Sequence, residues 1–381
     1  MAKMLSFGID PEIKKRKVVR THGYWIYYDD DTRDIDLWNG STSFILGYSA
    51  TKVFQEINRG TELVTRAIAN TFEYIDEIDE MSEVICNTGG FESVQWTNCG
   101  TTAVEAAIAM SDAYWKGLGE DKPLILSFTP GWHGTSHMTK SLGMPPLATA
   151  PSSRHIYGSS IESIETGLAD ELPRIGCIII ETVPWYKGWI EWHPDEWIKL
   201  REICDKHGIL MITDDVMCGW GKSHEYHGYA GFGYGFRPDI SALAKSLCAG
   251  YMPLGAAVCN KKVSDVISKK WQHGHTMQPN IGSICGALAT YKHIEEWNLL
   301  DKVHWIQPQL SALATNLMEK EIITDYKTSG TVLFMTFRDD IRQSGMSKRD
   351  TLRVCAPLIA DDEYFETINN KILTMYNQEK T

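Results

Sequence analysis

The sequence predicts an α/β protein whose larger domain has a mostly parallel central β-sheet covered by helices. Two observations support this prediction. In the middle of the chain, short apolar runs alternate with longer helical patterns, and Pro and Gly stand at the ends of those patterns. Strand–helix–strand alternation gives right-handed crossovers and a buried parallel sheet. The pattern changes towards both ends of the chain, which predicts a smaller α+β domain built from the two ends together.

Several short apolar segments predict the strands of the central sheet. They are residues 93–98, 124–128, 177–181, 209–214, 240–244 and 254–258. Helices are predicted at 101–115 and 195–207. The second helix has Pro194 before it and Gly208 after it, which are residues typical of a helix start and a helix stop.

The chain ends predict a mixed small domain. The aromatic segment 22–40, HGYWIYYDDDTRDIDLWNG, contains turn residues and predicts a hairpin. A helical pattern over 281–304 leads to the C-terminal region, where TVLFMTF at 331–337 predicts a strand and a helix follows Asp361. We therefore expect a large domain at 46–292 and a small domain formed by 1–45 and 293–381.

Composition excludes some classes of function. The chain has 37 basic and 49 acidic residues, a net charge of −12, which argues against nucleic-acid or anionic-membrane partners. No apolar stretch reaches the length of a membrane span, and no signal-peptide core follows Met1. The nine cysteines are scattered without a CxxC pair, which is typical of reduced thiols. We expect a cytoplasmic enzyme without a metal site.

Lys245 is an isolated charge in the small and apolar segment ISALAKSLCAGYMPLGA, residues 240–256. At the end of a predicted sheet strand such a lysine is poorly solvated. Burial disfavours the ammonium form and favours the neutral amine. A neutral amine can attack an aldehyde and form an imine. Taken alone, the sequence around Lys245 favours an ordinary lysine whose side chain reaches the surface.

Gly100 and Thr101 lie between a predicted strand and an Ala-rich predicted helix. The N-terminus of a helix offers free N–H groups and a favourable dipole to a phosphate, and Thr101 adds a hydroxyl donor. The segment lacks the Walker lysine and the GxGxxG pattern. An ordinary helix cap would explain the same residues.

Asp214 and Asp215 end a predicted strand. A carboxylate at the carboxyl edge of a parallel sheet points into the crevice where such folds bind ligands. Beside a pyridine nitrogen, it would keep that nitrogen protonated. Metal ligation is the alternative, but no His or Cys stands nearby at a suitable spacing. A phosphate cradle, an acid and a lysine together predict pyridoxal 5'-phosphate as the cofactor.

The sequence resembles the class III aminotransferases, which are fold-type I pyridoxal-phosphate enzymes, from about Gly23 to Leu358. The resemblance rests on segments that occur in the order of the family. They are WTNCGTTAVEAAI, GWHG, IIIETV, ITDDVMCGWGK, RPDISALAKSLCAGYMPLGA, HGHTMQPN and LRVCAPL. The resemblance implies that Lys245 forms the internal aldimine and that Asp214 binds the pyridine nitrogen.

The resemblance also implies the residues around the cofactor. These are Val216 and Trp132 on the two ring faces, Gly100 and Thr101 at the phosphate, and Glu181 nearby. Thr276 would reach the phosphate of the partner subunit, which implies a homodimer. Arg353 would bind a substrate carboxylate, a task that its planar guanidinium suits. Thirteen tryptophans suggest an aromatic-lined substrate pocket, with Trp38 as one wall.

The implied function is an aminotransferase that moves an amino group between an amine or amino acid and a 2-oxo acid or aldehyde. An aminomutase, decarboxylase or racemase of the same family is the alternative, since the cofactor motifs do not separate these reactions. A non-catalytic binding protein is a remote alternative, suggested by a C-terminal region shorter than the family's. The sequence departs from the family at Cys99, Trp132, Thr182 and Asp215, where Ser, Tyr or Phe, Pro and Glu are usual.

Overall fold

The computed structural model describes residues 15–63, 74–143, 150–157, 161–184, 193–231, 233, 235–342 and 348–378. The chain divides into two compact units. The larger unit is Thr51–Leu300, and the smaller unit combines Met1–Ala50 with Asp301–Thr381. Each unit has its own β-structure and its own buried apolar residues.

The strands of the described residues are given in chain order. They are β1 (Val18–His22), β2 (Trp25–Tyr28), β3 (Arg33–Ile35), β4 (Ser93–Thr97), β5 (Leu124–Thr129), β6 (Ser153–Tyr157), β7 (Ile175–Glu181), β8 (Leu210–Asp214), β9 (Ile240–Leu243), β10 (Gly255–Cys259), β11 (Ile323–Ser329), β12 (Val332–Arg342) and β13 (Lys348–Cys355).

The helices of the described residues follow in the same order. They are α1 (Asn39–Thr42), α2 (Thr51–Glu62), α3 (Asp76–Gly89), α4 (Gly100–Leu118), α5 (His137–Lys140), α6 (Glu162–Gly167), α7 (Pro194–His207), α8 (Gly228–Gly231), α9 (Lys261–Ile267), α10 (Ile281–Glu296), α11 (Val303–Glu319) and α12 (Asp362–Gln378). Short 3₁₀ turns occur at Leu172–Arg174 and Lys245–Cys248.

The larger unit contains the central sheet, whose strand order is β4-β10-β9-β8-β7-β5-β6. Strand β10 is antiparallel to both of its neighbours, and the strands from β9 across to β6 are parallel. The predicted fold class is therefore confirmed, and each predicted strand is present within one or two residues of its predicted limits. Strand β6 was not predicted, because SRHIY is a short and largely polar edge segment.

The long helix α4 covers one face of this sheet. Its Ala-rich sequence supplies a broad apolar face, and Ala103, Val104, Ala107 and Met110 are buried where the helix contacts β9 and β10. The helix runs beyond the predicted limits of 101–115 until Gly119 ends it in a left-handed conformation. Strong packing of α4 on the sheet places its first turn at the carboxyl edge of the parallel strands.

The smaller unit contains two antiparallel sheets within its described residues, β1-β2-β3 and β11-β12-β13, together with α11 and α12. The predicted N-terminal hairpin corresponds to β2 and β3, with β1 added. The helix predicted over 281–304 is wrong in its extent, since α10 ends at Glu296 and α11 begins at Val303. Asn298 has a positive φ of 47° between them, which a continuous helix does not allow.

Within the described part of the chain, every helix is too short or too polar to cross a membrane.

Candidate active site

Several chemically active side chains meet at the carboxyl edge of the central sheet. Asp214 ends β8, Glu181 ends β7, and Lys245 follows β9. Trp132 follows β5, and Gly100 begins α4 directly after β4. Parallel strands have their carboxyl ends at the same edge of a sheet. Residues that are far apart in the chain therefore become neighbours at that edge.

Asp214 is held by two hydrogen bonds. Its Oδ2 lies 2.8 Å from Nδ1 of His133, and its Oδ1 accepts a bond of 3.1 Å from the backbone N–H of Val216. Both side chains of the His133–Asp214 pair are buried. Burial opposes protonation of His133, but the hydrogen bond and charge of Asp214, together with the charge of Glu181, outweigh it and raise the pKa of the imidazole. The result is a buried hydrogen bond that fixes the orientation of the carboxylate.

Glu181 lies beside this pair. Its Oε2 accepts a hydrogen bond of 2.9 Å from the backbone N–H of Trp132. Burial, and to a lesser degree the charge of Asp214, raises the pKa of Glu181 to about 7, against the opposing effects of His133, the Trp132 N–H and Lys245. Near neutral pH this carboxyl group can therefore hold or release a proton.

Asp215 has other partners than Asp214. It accepts hydrogen bonds from the hydroxyl of Thr182 and, at 3.0 Å, from the backbone N–H of Gly228. Burial raises the pKa of Asp215 to about 7. The adjacent carboxylates thus have different partners: Asp214 contacts His133, whereas Asp215 ties the end of β8 to the strand and helix behind it.

A close-packed groove surrounds the N-terminus of α4. A methyl group added to Gly100 would lie 2.7 Å from Cγ1 of Val216, and one added to Gly134 would lie 2.6 Å from Oγ1 of Thr101. Thr101 Oγ1 also accepts a hydrogen bond of 3.4 Å from the backbone N–H of Thr135. The absence of side chains at Gly100 and Gly134 thus lets Val216 and Thr101 pack closely around the N-terminus of α4. The first N–H groups of such a helix favour an anion.

Lys245 is half-buried and begins a 3₁₀ turn. Its Nζ lies 3.6 Å from Sδ of Met217, and its positive charge acts on Glu181. Ala244, the residue before it, is 3.5 Å from the position of a methyl group on Gly100. Lys245, Gly100, Asp214 and Glu181 therefore belong to one cluster.

The donor set of this cluster fits pyridoxal 5'-phosphate. The N-terminus of α4 and the Thr101 hydroxyl match a phosphate, and the buried Asp214 carboxylate matches a protonated ring nitrogen. The Lys245 amine matches an aldehyde. Three different groups of the cofactor thus each have a chemically suitable side chain or helix end in one cluster.

The remaining predicted site residues are Thr276, Trp38 and Arg353. Thr276 is exposed on the loop 271–280, between α9 and α10 of the larger unit. Trp38 precedes α1, and Arg353 lies on β13 opposite Phe334. Trp38 and Arg353 are both half-buried and both belong to the smaller unit.

Sequence reasoning assigned no role to His133 or Thr182, which hold the two aspartates. His133 stands in the matched segment GWHG, which was the available signal. Its partner is 81 positions away, so only the sheet register brings the two side chains together.

Comparison with known proteins agrees with this geometry. Residues 10–372 match the sequence model of the family described as aminotransferase class-III. Acetylornithine aminotransferase of Aquifex aeolicus is 28% identical over 272 residues, which cover 69% of this chain and 70% of that protein. Acetylornithine aminotransferase of Methanocaldococcus jannaschii is 26% identical over 385 residues, 95% and 94% of the two chains.

Among solved structures, the amine transaminase from an uncultivated Pseudomonas species, in its PLP-bound form, has the same fold. The TM-score is 0.89 at 21% identity, and the alignment covers 99% of this chain and 98% of that chain. The family match extends over nearly the whole length of the chain and includes the entire cluster at the carboxyl edge of the sheet. The chain belongs to the class-III aminotransferase family and is an enzyme that transfers amino groups with pyridoxal 5'-phosphate as its cofactor.

Proposed function

We propose that this aminotransferase moves an amino group between an amine or amino acid and a 2-oxo acid or aldehyde, with Lys245 and Asp214 as its catalytic residues. The observation that carries the proposal is the buried His133–Asp214 hydrogen bond in one cluster with Lys245 and the N-terminus of α4. The relatives named for acetylornithine support an amino acid as one class of substrate.

The residues that would hold the cofactor follow from their chemistry. Gly100 and Thr101 would bind the phosphate, and Asp214 would bind the ring nitrogen. Val216 and Trp132 would pack against the two faces of the ring. When bound, pyridoxal phosphate supplies an electron sink next to the carbon that carries the substrate amine. Lys245 would bind the aldehyde carbon of the cofactor.

The chain's own groups then handle the protons. The amine of Lys245, when it is not bonded to the cofactor, would be available to move a proton at the substrate carbon. The hydrogen bond from His133 holds the Asp214 carboxylate in place, where it would stabilise a protonated ring nitrogen. Glu181, with a pKa of about 7, can hold a proton beside this site near neutral pH and thereby influence which substrate is accepted.

The smaller unit would supply substrate contacts. Arg353 is half-buried between the buried residues Leu352 and Val354. The planar guanidinium of Arg353 can bind a substrate carboxylate through two parallel hydrogen bonds, which supports a role in substrate binding. Trp38 would form an apolar wall of the substrate pocket. We also propose that 46–292 acts as the cofactor domain, with 1–45 and 293–381 as the small domain.

The active assembly is proposed to be a homodimer in the cytoplasm. Thr276 and its neighbour Met277 are exposed on the loop 271–280, and Met277 is 55% exposed despite its apolar side chain. A second copy of the chain that covers this loop would bring Thr276 to its phosphate site. All nine cysteines are free thiols, which supports a reducing compartment.

A half-reaction screen tests the proposed activity. Candidate amines and amino acids are added singly to the holoenzyme, and the absorbance of the aldehyde form of the cofactor is followed as it converts to that of the amine form. The proposal predicts full conversion by at least one donor, with one equivalent of the matching oxo product. Release of carbon dioxide, or a rearranged amine without an oxo product, would contradict it and favour a decarboxylase or aminomutase.

A further inference from the structure

The backbone at Lys245 is unusual for a residue with a side chain. Its φ is +45°, in the left-handed region that disfavours residues with a Cβ. The preceding Ala244 has φ −165° and ψ −141°, and Ala249 at the end of the turn again has φ +45°. Such a conformation persists only where the surrounding structure holds it. Something must therefore stabilise the turn that presents Lys245.

A second lysine, Lys222, contacts this turn. The ammonium of Lys222 donates a hydrogen bond to the hydroxyl of Ser246, the residue that follows Lys245. Both Lys222 and Ser246 are 1% exposed, so water does not compete for this bond. Removing a lysine side chain from water is costly, so a buried lysine is expected to make a specific polar contact.

The loop that carries Lys222 is itself firmly packed. It follows Asp214 along the chain, and a methyl group on Gly219 would lie 2.6 Å from Cδ2 of Leu243 in β9. Trp220 is fully buried, and its backbone N–H donates a hydrogen bond of 2.7 Å to the carbonyl of Tyr226. The backbone around Lys222 is therefore held in a fixed position.

We propose that Lys222 is a positioning residue that holds the left-handed turn at Lys245 through Ser246. The bond joins the loop after Asp214 to the turn at Lys245, so it sets where the Lys245 amine stands relative to the Asp214 carboxylate. The inference rests on the proposed role of Lys245 as the cofactor-binding lysine.

The test compares matched variants of the full-length protein. Lys222→Met removes the cation at similar volume, and Lys222→Arg keeps it. Ser246→Ala removes the acceptor, and Ser246→Thr keeps it. Pyridoxal phosphate is added to each apoprotein, and the rate of appearance of the visible absorbance of the lysine-bound cofactor is measured beside the melting temperature. Lys122→Met serves as a control, because Lys122 is a partly buried lysine that donates to the Gly208 carbonyl at the end of α7.

Lys222→Met and Ser246→Ala are each expected to slow cofactor capture by roughly tenfold, and the double variant by no more than the worse single variant, since both remove one interaction. Lys222→Arg and Ser246→Thr should recover most of the rate. Lys122→Met should change only the melting temperature. Capture rates within about twofold of wild type for both Lys222→Met and Ser246→Ala, or additive losses in the double variant, would overturn the proposal.

A parallel Lys245→Ala variant separates this inference from the proposed function. If Lys245→Ala still gives the visible absorbance, the cofactor is bound by another residue and the proposed function fails. If Lys245→Ala loses the absorbance while Lys222→Met captures cofactor at the wild-type rate, only the positioning role of Lys222 fails.

Discussion

Nδ1 of His133 and Oδ2 of Asp214 form a buried hydrogen bond of 2.8 Å at the carboxyl end of β8. The pKa of His133 is raised in this pair, so the imidazole is the donor and the carboxylate is the acceptor. An ionised carboxylate held in one orientation inside the protein is a preorganised partner for a cationic ring nitrogen. This relationship is the physical basis for the proposal that Asp214, and not Asp215, binds the cofactor.

The first prediction compares these two aspartates. Asp214→Asn removes the charge that stabilises a protonated ring nitrogen, and turnover of the folded, cofactor-loaded variant should fall by roughly 100-fold or more. Asp215→Asn should instead lower the melting temperature, because it weakens the contacts with Thr182 and Gly228. Steady-state kinetics and thermal unfolding measure both effects. Near-normal turnover of Asp214→Asn beside an inactive Asp215→Asn would reverse the assignment.

The second prediction concerns Glu181 and pH. Its pKa is about 7 in the folded state and ordinarily 4.5. The folded state therefore binds the proton more tightly than the unfolded state, so the stability that Glu181 contributes is complete below about pH 4.5 and is lost as the pH rises through about 7. Glu181→Gln should remove this loss. Between pH 5 and 7.5, the free energy of unfolding should fall less in Glu181→Gln than in wild type. The difference between the two falls should be at most about 3 kcal/mol.

Urea unfolding of the apoprotein at several pH values measures this difference. Glu165→Gln is the control, because Glu165 is an exposed carboxylate whose pKa is lowered by Lys206 and His207. In Glu165→Gln, the free energy of unfolding should fall with rising pH as steeply as it does in wild type. In Glu181→Gln the free energy of unfolding should still fall somewhat with rising pH, because the pKa of Asp215 is also raised in the folded state. Identical pH slopes in wild type and Glu181→Gln would mean that Glu181 is ionised when folded.

The third prediction concerns assembly. If Thr276 completes the phosphate site of a second copy, Thr276→Ala should weaken cofactor binding by about tenfold, or ~1.4 kcal/mol, while the dimer persists. Dilution that dissociates the dimer should release cofactor and activity together. Sedimentation and cofactor titration over the same concentration range test both statements. A monomer with full activity would exclude a shared site.

The fourth prediction concerns Arg353. Lysine cannot reproduce the planar, bidentate contact of a guanidinium with a carboxylate. Arg353→Lys should lower kcat/KM for carboxylate substrates by roughly 10–100-fold, about 1.4–2.7 kcal/mol, and affect amines without a carboxylate much less. Half-reactions with matched donors of both kinds measure the difference. Equal losses for both kinds of donor, with a lower melting temperature, would make Arg353 a structural residue.

The sequence predicted the central sheet well, because its strands are short apolar runs separated by clear turn residues. It predicted the smaller unit less completely. Strand β11, ITDYKTS, is mostly polar and so lacks the apolar residues that predict a strand. Helix α11 contains Pro308, which is unusual inside a helix. The boundary between α10 and α11 was missed because apolar spacing continues through it, whereas the backbone at Asn298 turns left-handed.

The chemically active residues at strand ends could be predicted because parallel strands present them at one edge. Their supporting contacts could not. The bonds His133–Asp214, Thr182–Asp215 and Lys222–Ser246 join residues far apart in the chain, and they depend on strand register and loop packing. The left-handed backbone of Lys245 likewise has no signal in the local sequence, since an ordinary lysine occupies the position.

The most direct measurement of the central claim is to identify the residue that carries the cofactor. Holoenzyme is reduced with borohydride, digested, and the labelled peptide is sequenced by mass spectrometry. We expect one pyridoxyl group on Lys245, in the segment ISALAKSLCAGYMPLGA, and loss of both label and visible absorbance in Lys245→Ala. Label on another lysine of the wild-type protein, Lys222 included, or retention of the visible absorbance in Lys245→Ala would contradict the account.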